Sequence, residues 1–476
     1  MKLSSNVSSW RLILSTLAIV AQILCTTNLA LADQIKYLAH GKTALATRLL
    51  EIRGAQKSID IATYDFSPCN SGVKLLTDDL VAKSNAGVHV RFLVDARNVA
   101  PATRANLQTF FSKNKIEFKL YNDGFLAAQN LRTHVKLQIV DGQSYIVGGR
   151  NLEAAYFGFD PERNYIDREA FVQGESVQAA QKYFNELWNS PKNMKPRPAK
   201  EISEFERSCF ADTELDKKLS ADIEINGLRQ FRAIPTRVCN DVTFHGDNPE
   251  FLNTRYLDSE NLASSTENQG ASQTADPLAQ GTRLREKRNS QMHVNFFAGT
   301  QSSLLLENWD YMPAHQIDDA LSRLRDKNIP ILVISNFPEG GDKSDMDVFT
   351  AMLDHYERRD NRGSERVLPV CPTGSMRDEN PFSSPKARWM IHSKVAVRDQ
   401  KDVVIGSYNI DERSYDTNLE ASIRVINCPA LASDVQNETN LLVQNYNQDL
   451  VAKKCQRTGP APLMVRITGW LLSPFF

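Results

Sequence analysis

The chain has 476 residues, 41% of them hydrophobic, which suits a globular protein with one large domain or two of ordinary size. Its formal net charge of −1 gives no support to a surface that grips long nucleic acid, because such surfaces usually carry a strongly basic face. A neutral total is still compatible with a local basic groove.

The first 32 residues have the pattern of a secretory signal peptide. Two basic residues are the only charges before Asp33, an apolar run extends from Leu12 to Cys25, and Ala30-Leu31-Ala32 has the form of a cleavage site. The apolar run is shorter than the roughly 20 residues that span a bilayer as a helix. We therefore predict a bacterial protein that is exported to the periplasm or secreted, with residues 1–32 removed; an uncleaved membrane anchor is the alternative.

Six cysteines follow the predicted signal peptide, and an even number in an exported chain favours disulfide bonds. They are Cys69, Cys209, Cys239, Cys371, Cys428 and Cys455. None of them forms a C-x-x-C pair, so a zinc site built on thiolates is not expected. The sequence leaves the pairing open, and six buried thiols are the alternative.

The same order of predicted elements, a strand, a helix and a strand, occurs once in each half of the chain. These elements are Ser58–Phe66, Val73–Ser84 and Val88–Asp95 in the first half, and Ser303–Glu307, Ile317–Arg325 and Ile329–Ser335 in the second. Alternating apolar residues indicate the strands, and apolar residues at helical spacing indicate the helices. The repeated order predicts an α/β protein made of two similar α/β/α halves, each a mixed sheet flanked by helices.

A polar stretch from Asp258 to Ser290 separates the two halves. We predict a mobile loop or linker, because this stretch cannot bury enough apolar surface to offset the entropy lost on ordering. Its basic end forms either a solvated run or a contact with anionic lipid or nucleic acid, and consists of Arg283, Arg285, Lys287 and Arg288. A second polar run, Glu357 to Arg366, is also predicted to be a surface loop.

The feature that indicates chemistry is a five-position pattern that occurs twice. The first copy contains His134, Lys136, Asp141, Gly148 with Gly149, and Asn151, and the second contains His392, Lys394, Asp399, Gly406 with Ser407, and Asn409. Measured from each His, the Lys, Asp, Gly and Asn positions are +2, +7, +14 and +17 in both copies. Apolar residues fill the gaps at strand spacing, which predicts a β-hairpin with His and Lys on one face of its first strand.

Two histidines in such a setting suit the cleavage of a phosphodiester. A neutral imidazole can attack phosphorus and form a covalent intermediate, which divides one difficult step into two. A second imidazole can protonate the leaving alkoxide and then deprotonate the incoming water or alcohol. The two Lys and two Asn side chains can stabilise the non-bridging oxygens where charge develops, so the pattern requires neither a metal nor another cofactor.

These residues resemble the H-x-K-x4-D-x6-G-[GS]-x-N motif of the phospholipase D superfamily. The resemblance extends from about Ser58 to Asn427, and flanking residues such as Tyr156-Phe157 and Asp411-Glu412-Arg413-Ser414 look most like bacterial cardiolipin synthase C and its phospholipase D-like relatives. It implies that the two motifs meet at a pseudo-two-fold interface and form one active site.

The resemblance also implies a role for each residue. His134 is the expected nucleophile and His392 the expected acid and base. An acidic residue after each motif is expected to orient its imidazole, and the matching positions are Asp167 and Glu420, with Glu169 as the rival to Asp167. Asp141 and Asp399 are expected to be structural partners at the hairpin.

The predicted organisation is a signal peptide (1–32), a first phospholipase D-like repeat (33–215), a connecting region (216–291) with the polar insertion at about 258–290, and a second repeat (292–476). The predicted function is headgroup hydrolysis or transfer on a phospholipid at a membrane surface, with an alcohol such as phosphatidylglycerol as the acceptor for transfer. A metal-independent nuclease with the same core and an inactive binding protein are the alternatives.

The C-terminal segment and the remaining histidines carry weaker signals. The apolar segment Gly469–Phe476 either docks on the core or inserts at a lipid interface. Four further histidines lack the spacing of metal ligands and are expected to be ordinary structural or surface residues: His245, His293, His315 and His355.

Overall fold

A computed structural model of the chain describes residues 32–122, 132–250, 287–313, 315–336, 363–370, 384 and 387–451. The predicted signal peptide, the polar insertion up to residue 286, Cys371, Cys455, His355 and the segment Gly469–Phe476 lie outside these residues. Among the described helices, none is both long and apolar enough to cross a membrane.

The first half contains nine strands and five helices in the described ranges. The strands are β1 (Asp33–Leu38), β2 (Ser58–Thr63), β3 (His89–Asp95), β4 (Glu117–Tyr121), β5 (Leu137–Val140), β6 (Ser144–Gly148), β7 (Arg163–Ile166), β8 (Glu169–Gln173) and β9 (Asn193–Met194). The helices are α1 (Gly41–Gly54), α2 (Val73–Asn85), α3 (Pro101–Lys113), α4 (Ala154–Phe157) and α5 (Val177–Trp188).

A connecting segment follows, and then the second half. The connecting segment holds α6 (Ser203–Cys209), α7 (Glu214–Asp222), α8 (Leu228–Ala233), β10 (Thr236–Cys239) and β11 (Asp241–Gly246). The second half holds α9 (Arg288–Ala298), β12 (Leu304–Asn308), α10 (His315–Asp326), β13 (Ile331–Asn336), β14 (Glu365–Val370), β15 (Arg388–Ile391), β16 (Lys394–Arg398), β17 (Asp402–Gly406), α11 (Glu412–Asp416), β18 (Ala421–Ile426) and α12 (Pro429–Val451).

Each half builds a mixed sheet, and seven strands follow the same order in both. In the first sheet this order is β1-β8-β6-β5-β2-β3-β4, and in the second it is β11-β18-β17-β16-β12-β13-β14. The three strands at one end are parallel in each sheet, whereas the strands of the motif hairpins are antiparallel. The predicted α/β class with two repeated halves is therefore confirmed, as are the two motif hairpins, although His134, Lys136 and His392 precede the first hairpin strands instead of lying on them.

The alternation of side chains along the strands explains how the sheets pack. In β6, Tyr145 and Val147 point into a core shared with Val403 and Ile405 of β17, while Ile146 points to the opposite face towards Ala44 of α1. Because successive side chains of a strand face opposite sides, one sheet can contact both its own helices and the other half. This shared core fixes the two halves against each other.

The connecting segment joins the sheets at their edges. Strand β10 pairs with β1 in the first sheet, and β11 pairs with β18 in the second. A disulfide between Cys239 and Cys428 adds a covalent link across this junction, and a second disulfide joins Cys69 to Cys209. The expectation of disulfide bonds is confirmed for these four cysteines, while the predicted limits of the domains stay a prediction.

Two polar stretches are more ordered than the sequence indicates. Lys287 is buried, with its ammonium 2.9 Å from a carboxylate oxygen of Asp247, and Arg288 to Ser290 begin α9, so the end of the predicted polar loop is folded. Glu365 and Arg366 belong to β14 instead of a loop. In both places an ion pair offsets the free-energy cost of burying a charged side chain. Lys287 pairs with Asp247, and Glu365 lies 2.5 Å from Arg325.

Candidate active site

Strand pairing between the halves brings the two motifs together. Strand β15, which leads to His392, pairs in parallel with β7, which leads to Asp167. In the same way Thr133 forms a bridge with Leu419, next to His134 and Glu420. The backbone N–H of His392 donates to the carbonyl of Ile166 (2.7 Å), and that of His134 donates to the carbonyl of Leu419 (2.8 Å).

Each histidine is consequently paired with the carboxylate of the other half. His392 Nδ1 lies 2.6 Å from an oxygen of Asp167, and His134 Nδ1 lies 3.1 Å from both oxygens of Glu420. The expectation that each acid orients the imidazole of its own motif is therefore wrong, although both predicted acids are at the site. The rival Glu169 instead forms ion pairs with Arg48 and Arg150.

The variable position of the motif, Gly149 in one copy and Ser407 in the other, contacts these carboxylates. A Cβ at Gly149 would lie 2.2 Å from an oxygen of Asp167, so only glycine allows the acid to approach here. At the matching place Ser407 donates a hydrogen bond to Glu420, and Ser414 donates a second one of 2.8 Å. The motif position therefore helps to place the acid that serves the histidine of the other half.

The two motif lysines lie beside the imidazoles. Lys136 Nζ donates to the carbonyl of His134 (2.9 Å), and Lys394 Nζ donates to the carbonyl of His392 and lies 2.9 Å from its Nδ1. Burial lowers the pKa of Lys136 to about 7 against the opposing effect of Glu420, and it lowers the pKa of Lys394 to about 8 against that of Asp167. The pair forms a concentrated cationic site for an anionic ligand.

The surroundings of the two imidazoles act on their protonation in opposite directions: burial and the lysines favour the neutral ring, and the carboxylate at each Nδ1 favours the imidazolium. Burial lowers the pKa of His134 and of His392 well below the usual value, and the nearby charges of Lys136 and Lys394 lower both further. A carboxylate at Nδ1 favours the tautomer with the proton on that nitrogen, which leaves a lone pair on Nε2. A neutral imidazole with a free Nε2 is the form that can attack phosphorus.

The remaining motif residues separate into two groups. Asn151 donates to the Tyr156 hydroxyl beside His392, and the backbone N–H of Asn409 donates to Ser414, which contacts Glu420. The side-chain oxygen of Asn409 is buried and has no hydrogen-bond partner among the described residues. Asp141 and Asp399 lie at the far ends of the motif strands with φ of 55° and 52°. Their carboxylates accept backbone N–H groups of residues 56–58 and 301–303, respectively. These contacts fit the expected structural role, and the catalytic roles of the other motif residues stay predictions.

Aromatic residues that sequence reasoning did not assign to the site surround the histidines. The Tyr64 ring lies 5.0 Å from His134, and the rings of Tyr165 and Trp309 lie 5.3 and 5.2 Å from His392. A usable signal was present, because Tyr64-Asp65 follows β2 and Trp309-Asp310 follows the matching strand β12. Comparing the two halves strand by strand would have found this repeated aromatic–Asp pair.

One surface cluster surrounds His315, which was expected to be an ordinary structural or surface residue. His315 lies 3.3 Å from Glu412 and 3.9 Å from Asp416, and their ligand atoms all lie within 4.8 Å of one another. The fold thus gives His315 acidic neighbours that its sequence spacing did not indicate. We assign no function to these exposed ion pairs.

Comparison with known proteins agrees with this architecture. The family described as "Cardiolipin synthase, PLD-like domain" matches residues 49–188 and 296–442, which together make up more than half of the chain. The chain belongs to this family. Each matched segment contains one copy of the motif, so the family assignment covers both halves of the site.

Individual relatives of this PLD-like protein are distant. An uncharacterized protein of Helicobacter pylori is 24% identical over 429 residues, which cover 84% of this chain and 77% of the relative. Cardiolipin synthase C of Escherichia coli is 31% identical over 157 residues, which cover 30% of this chain and 33% of that protein. The crystal structure of phosphatidylserine synthase from Haemophilus influenzae superposes with a TM-score of 0.60 at 13% identity, covering 93% of this chain and 95% of that one. At that identity the likeness shows a shared fold.

Proposed function

We propose that this PLD-like protein cleaves or exchanges the headgroup of a phospholipid through a covalent phosphohistidine intermediate. The observation that carries the proposal is the pair of crossed contacts, His134 with Glu420 and His392 with Asp167. They give one site two imidazoles, each with a carboxylate at Nδ1, and two lysines stand beside them. Two such histidines are what a two-step displacement at phosphorus needs, one as nucleophile and one for proton transfer.

In the first step His134 Nε2 attacks the phosphorus and forms a P–N bond. The bond from phosphorus to the headgroup oxygen breaks, and its electron pair stays on that oxygen, which takes the Nε2 proton of His392; in this step His392 acts as the imidazolium, beside the carboxylate of Asp167. Lys136, Lys394 and the amide of Asn409 stabilise the charge on the non-bridging oxygens. The product of this step is a phosphatidyl group on His134 and a free headgroup alcohol.

In the second step His392, now without its Nε2 proton, takes a proton from an incoming hydroxyl. The oxygen of that hydroxyl attacks phosphorus, the P–N bond breaks, and His134 returns to its neutral form. Water as the acceptor gives phosphatidic acid, whereas an alcohol such as phosphatidylglycerol gives a new phosphodiester. Hydrolysis and transfer therefore use the same residues and differ in which acceptor reaches the intermediate.

A lipid substrate is favoured by the family and by its named relatives. The family description and the Escherichia coli relative both name cardiolipin synthase, and the structural neighbour is a phosphatidylserine synthase. The aromatic rings beside the histidines offer apolar contacts to a headgroup or glycerol backbone. The two disulfides support a location outside the cytoplasm, since disulfide bonds persist in oxidising compartments.

The proposal is tested with the purified full chain and three substrates: phosphatidylethanolamine, phosphatidylglycerol and single-stranded DNA, each with and without EDTA. Wild type is expected to release phosphatidic acid or cardiolipin in both conditions. His134→Ala and His392→Ala are each expected to lose activity by about 10³-fold, because each removes one of the two chemical roles. His89→Ala is the matched control, since His89 is an exposed histidine paired with Glu117 away from the site.

Two outcomes would contradict the proposal. Cleavage of DNA without any reaction on lipid would make the protein a nuclease of the same superfamily. Full activity of both motif variants would reject the phosphohistidine mechanism itself.

A further inference from the structure

A difference between the two halves shortly after each motif lies directly against one of the histidines. The residue 22 positions after the histidine is Tyr156 in the first copy and Ser414 in the second. The Tyr156 hydroxyl and Lys394 Nζ each lie 3.3 Å from His392 Nε2, and the Tyr156 ring stands edge-on to that imidazole at 4.9 Å. Ser414 instead contacts Asn409 and Glu420, and no described residue donates a hydrogen bond to His134 Nε2.

A short chain of hydrogen bonds fixes the direction of the Tyr156 hydroxyl. The side-chain amide of Asn151 donates to a carboxylate oxygen of Asp65 (3.0 Å) and to the Tyr156 oxygen (2.9 Å). Both amide hydrogens of Asn151 are thereby used. Because the Tyr156 oxygen accepts from Asn151, its own hydrogen is left for His392 Nε2. The ring is only 4% exposed, so packing holds this arrangement.

We propose that Tyr156 is a positioning residue that makes the two histidines unequal, keeping His392 in the proton-transfer role and leaving His134 as the nucleophile. The inference rests on the proposed function. When His392 is neutral, Asp167 holds its Nδ1–H and the Nε2 lone pair accepts the Tyr156 hydroxyl instead of pointing at phosphorus. When His392 is an imidazolium it has no lone pair. Attack by His392 on phosphorus is therefore disfavoured in both forms, whereas an incoming hydroxyl can replace Tyr156 at Nε2 when it gives up its proton.

The same contact serves each proton transfer. After His392 gives its Nε2 proton to the departing headgroup oxygen, Tyr156 donates to the emptied nitrogen and stabilises the neutral ring. After His392 takes a proton from water or the acceptor alcohol, Nε2–H can donate to the Tyr156 oxygen. Tyr156 keeps its own proton throughout, so no net charge moves onto it.

The test is Tyr156→Phe, which keeps the ring and removes the hydroxyl. Wild type and variant are quenched in alkali during turnover of radiolabelled phosphatidylethanolamine, and the labelled phosphohistidine is located by peptide mapping. Wild type should carry label on the His134 peptide alone, and the variant on the His134 and His392 peptides. In parallel, the variant should release ethanolamine about tenfold more slowly, as expected for one lost hydrogen bond. Release of p-nitrophenol from a p-nitrophenyl phosphodiester should change by less than about twofold, since that leaving group needs no proton.

Tyr183→Phe is the control, because the Tyr183 hydroxyl is also buried but has no hydrogen-bond partner among the described residues. It should leave the map and both rates unchanged. Label on the His392 peptide of wild type overturns the inference even if the variant does not fold. The inference is also overturned if Tyr156→Phe releases ethanolamine and p-nitrophenol with equally reduced rates, and the label is confined to the His134 peptide in wild type and variant alike. Absence of phosphohistidine in every protein that turns over lipid would reject the proposed function instead.

Discussion

The carboxylate behind His392 offers the sharpest test of the crossed arrangement. Asp167 accepts the Nδ1–H of His392 at 2.6 Å and the backbone N–H of Arg168 at 2.7 Å, and it is fully buried. In Asp167→Asn the amide can keep its oxygen on Arg168 and present N–H to His392. The imidazole would then carry its proton on Nε2 and could no longer act as a base in the second step.

The size of the effect follows from two contributions. Loss of a charge-assisted hydrogen bond costs about 1.5–3 kcal/mol, and each 1.36 kcal/mol corresponds to about a tenfold change in rate. The wrong tautomer removes base catalysis as well, which contributes about 10²- to 10⁴-fold. The two contributions overlap, because the lost hydrogen bond is the one that fixes the tautomer, so we expect kcat to fall by about 10²- to 10⁴-fold with little change in KM.

The assay is headgroup release from mixed micelles, with rapid mixing to separate formation of the intermediate from its breakdown. Breakdown should slow more than formation, so labelled intermediate should accumulate in Asp167→Asn. Asp141→Asn is the control, because Asp141 carries the same chemical change at the far end of β5 and contacts only backbone N–H groups there. A folded Asp167→Asn protein with kcat within about twofold of wild type would refute the role assigned to the crossed pair.

Three further predictions test other parts of the site and fold. Since burial lowers the pKa of Lys136 to about 7 and of Lys394 to about 8, kcat/KM should decline as the pH rises through 7 to 8 and these cations are lost; in a pH–rate profile Lys394→Arg should remove the part of the decline near pH 8 and keep the part near pH 7. Gly149→Ala should reduce kcat strongly with little loss of binding, because its Cβ would displace Asp167, and lipid assays compared with thermal melts would show this. Removal of the Cys239–Cys428 disulfide by substitution with Ser should lower the free energy of unfolding by about 2–5 kcal/mol, measured by denaturant titration.

The chemistry of the site was more predictable from sequence than its geometry. The offsets of the two motifs identified the histidines and lysines, and the apolar residues between them predicted the hairpins that the structure contains. Asp167 and Glu169 are two residues apart, so strand spacing places them on the same side and cannot choose between them. The choice is made by Arg48 of α1, which pairs with Glu169, and such a contact between distant segments leaves no local signal.

The crossed pairing was hidden for the same reason. Whether His134 meets Asp167 or Glu420 depends on how the halves dock, and both arrangements have the same motif offsets. The sequence did not predict that the end of the polar insertion is folded, because a lysine in a polar stretch is expected to be solvated. The buried partner of Lys287, Asp247, lies 40 residues away in the chain. Local pattern therefore predicted the elements and the reactive groups, whereas contacts between the halves decided which groups act together.

The strand pairs β7–β15 and Thr133–Leu419 have a consequence for how this protein could be divided. A separated half would contain one histidine, with the carboxylate that serves it left on the other piece. Assembly of a complete site from two separate halves would depend on the concentration of each half. In the single chain each half is held at a high effective concentration relative to the other. Because the two motif copies lie in one chain, their sequences can differ from each other. Tyr156 and Ser414, at matching positions, are such a difference.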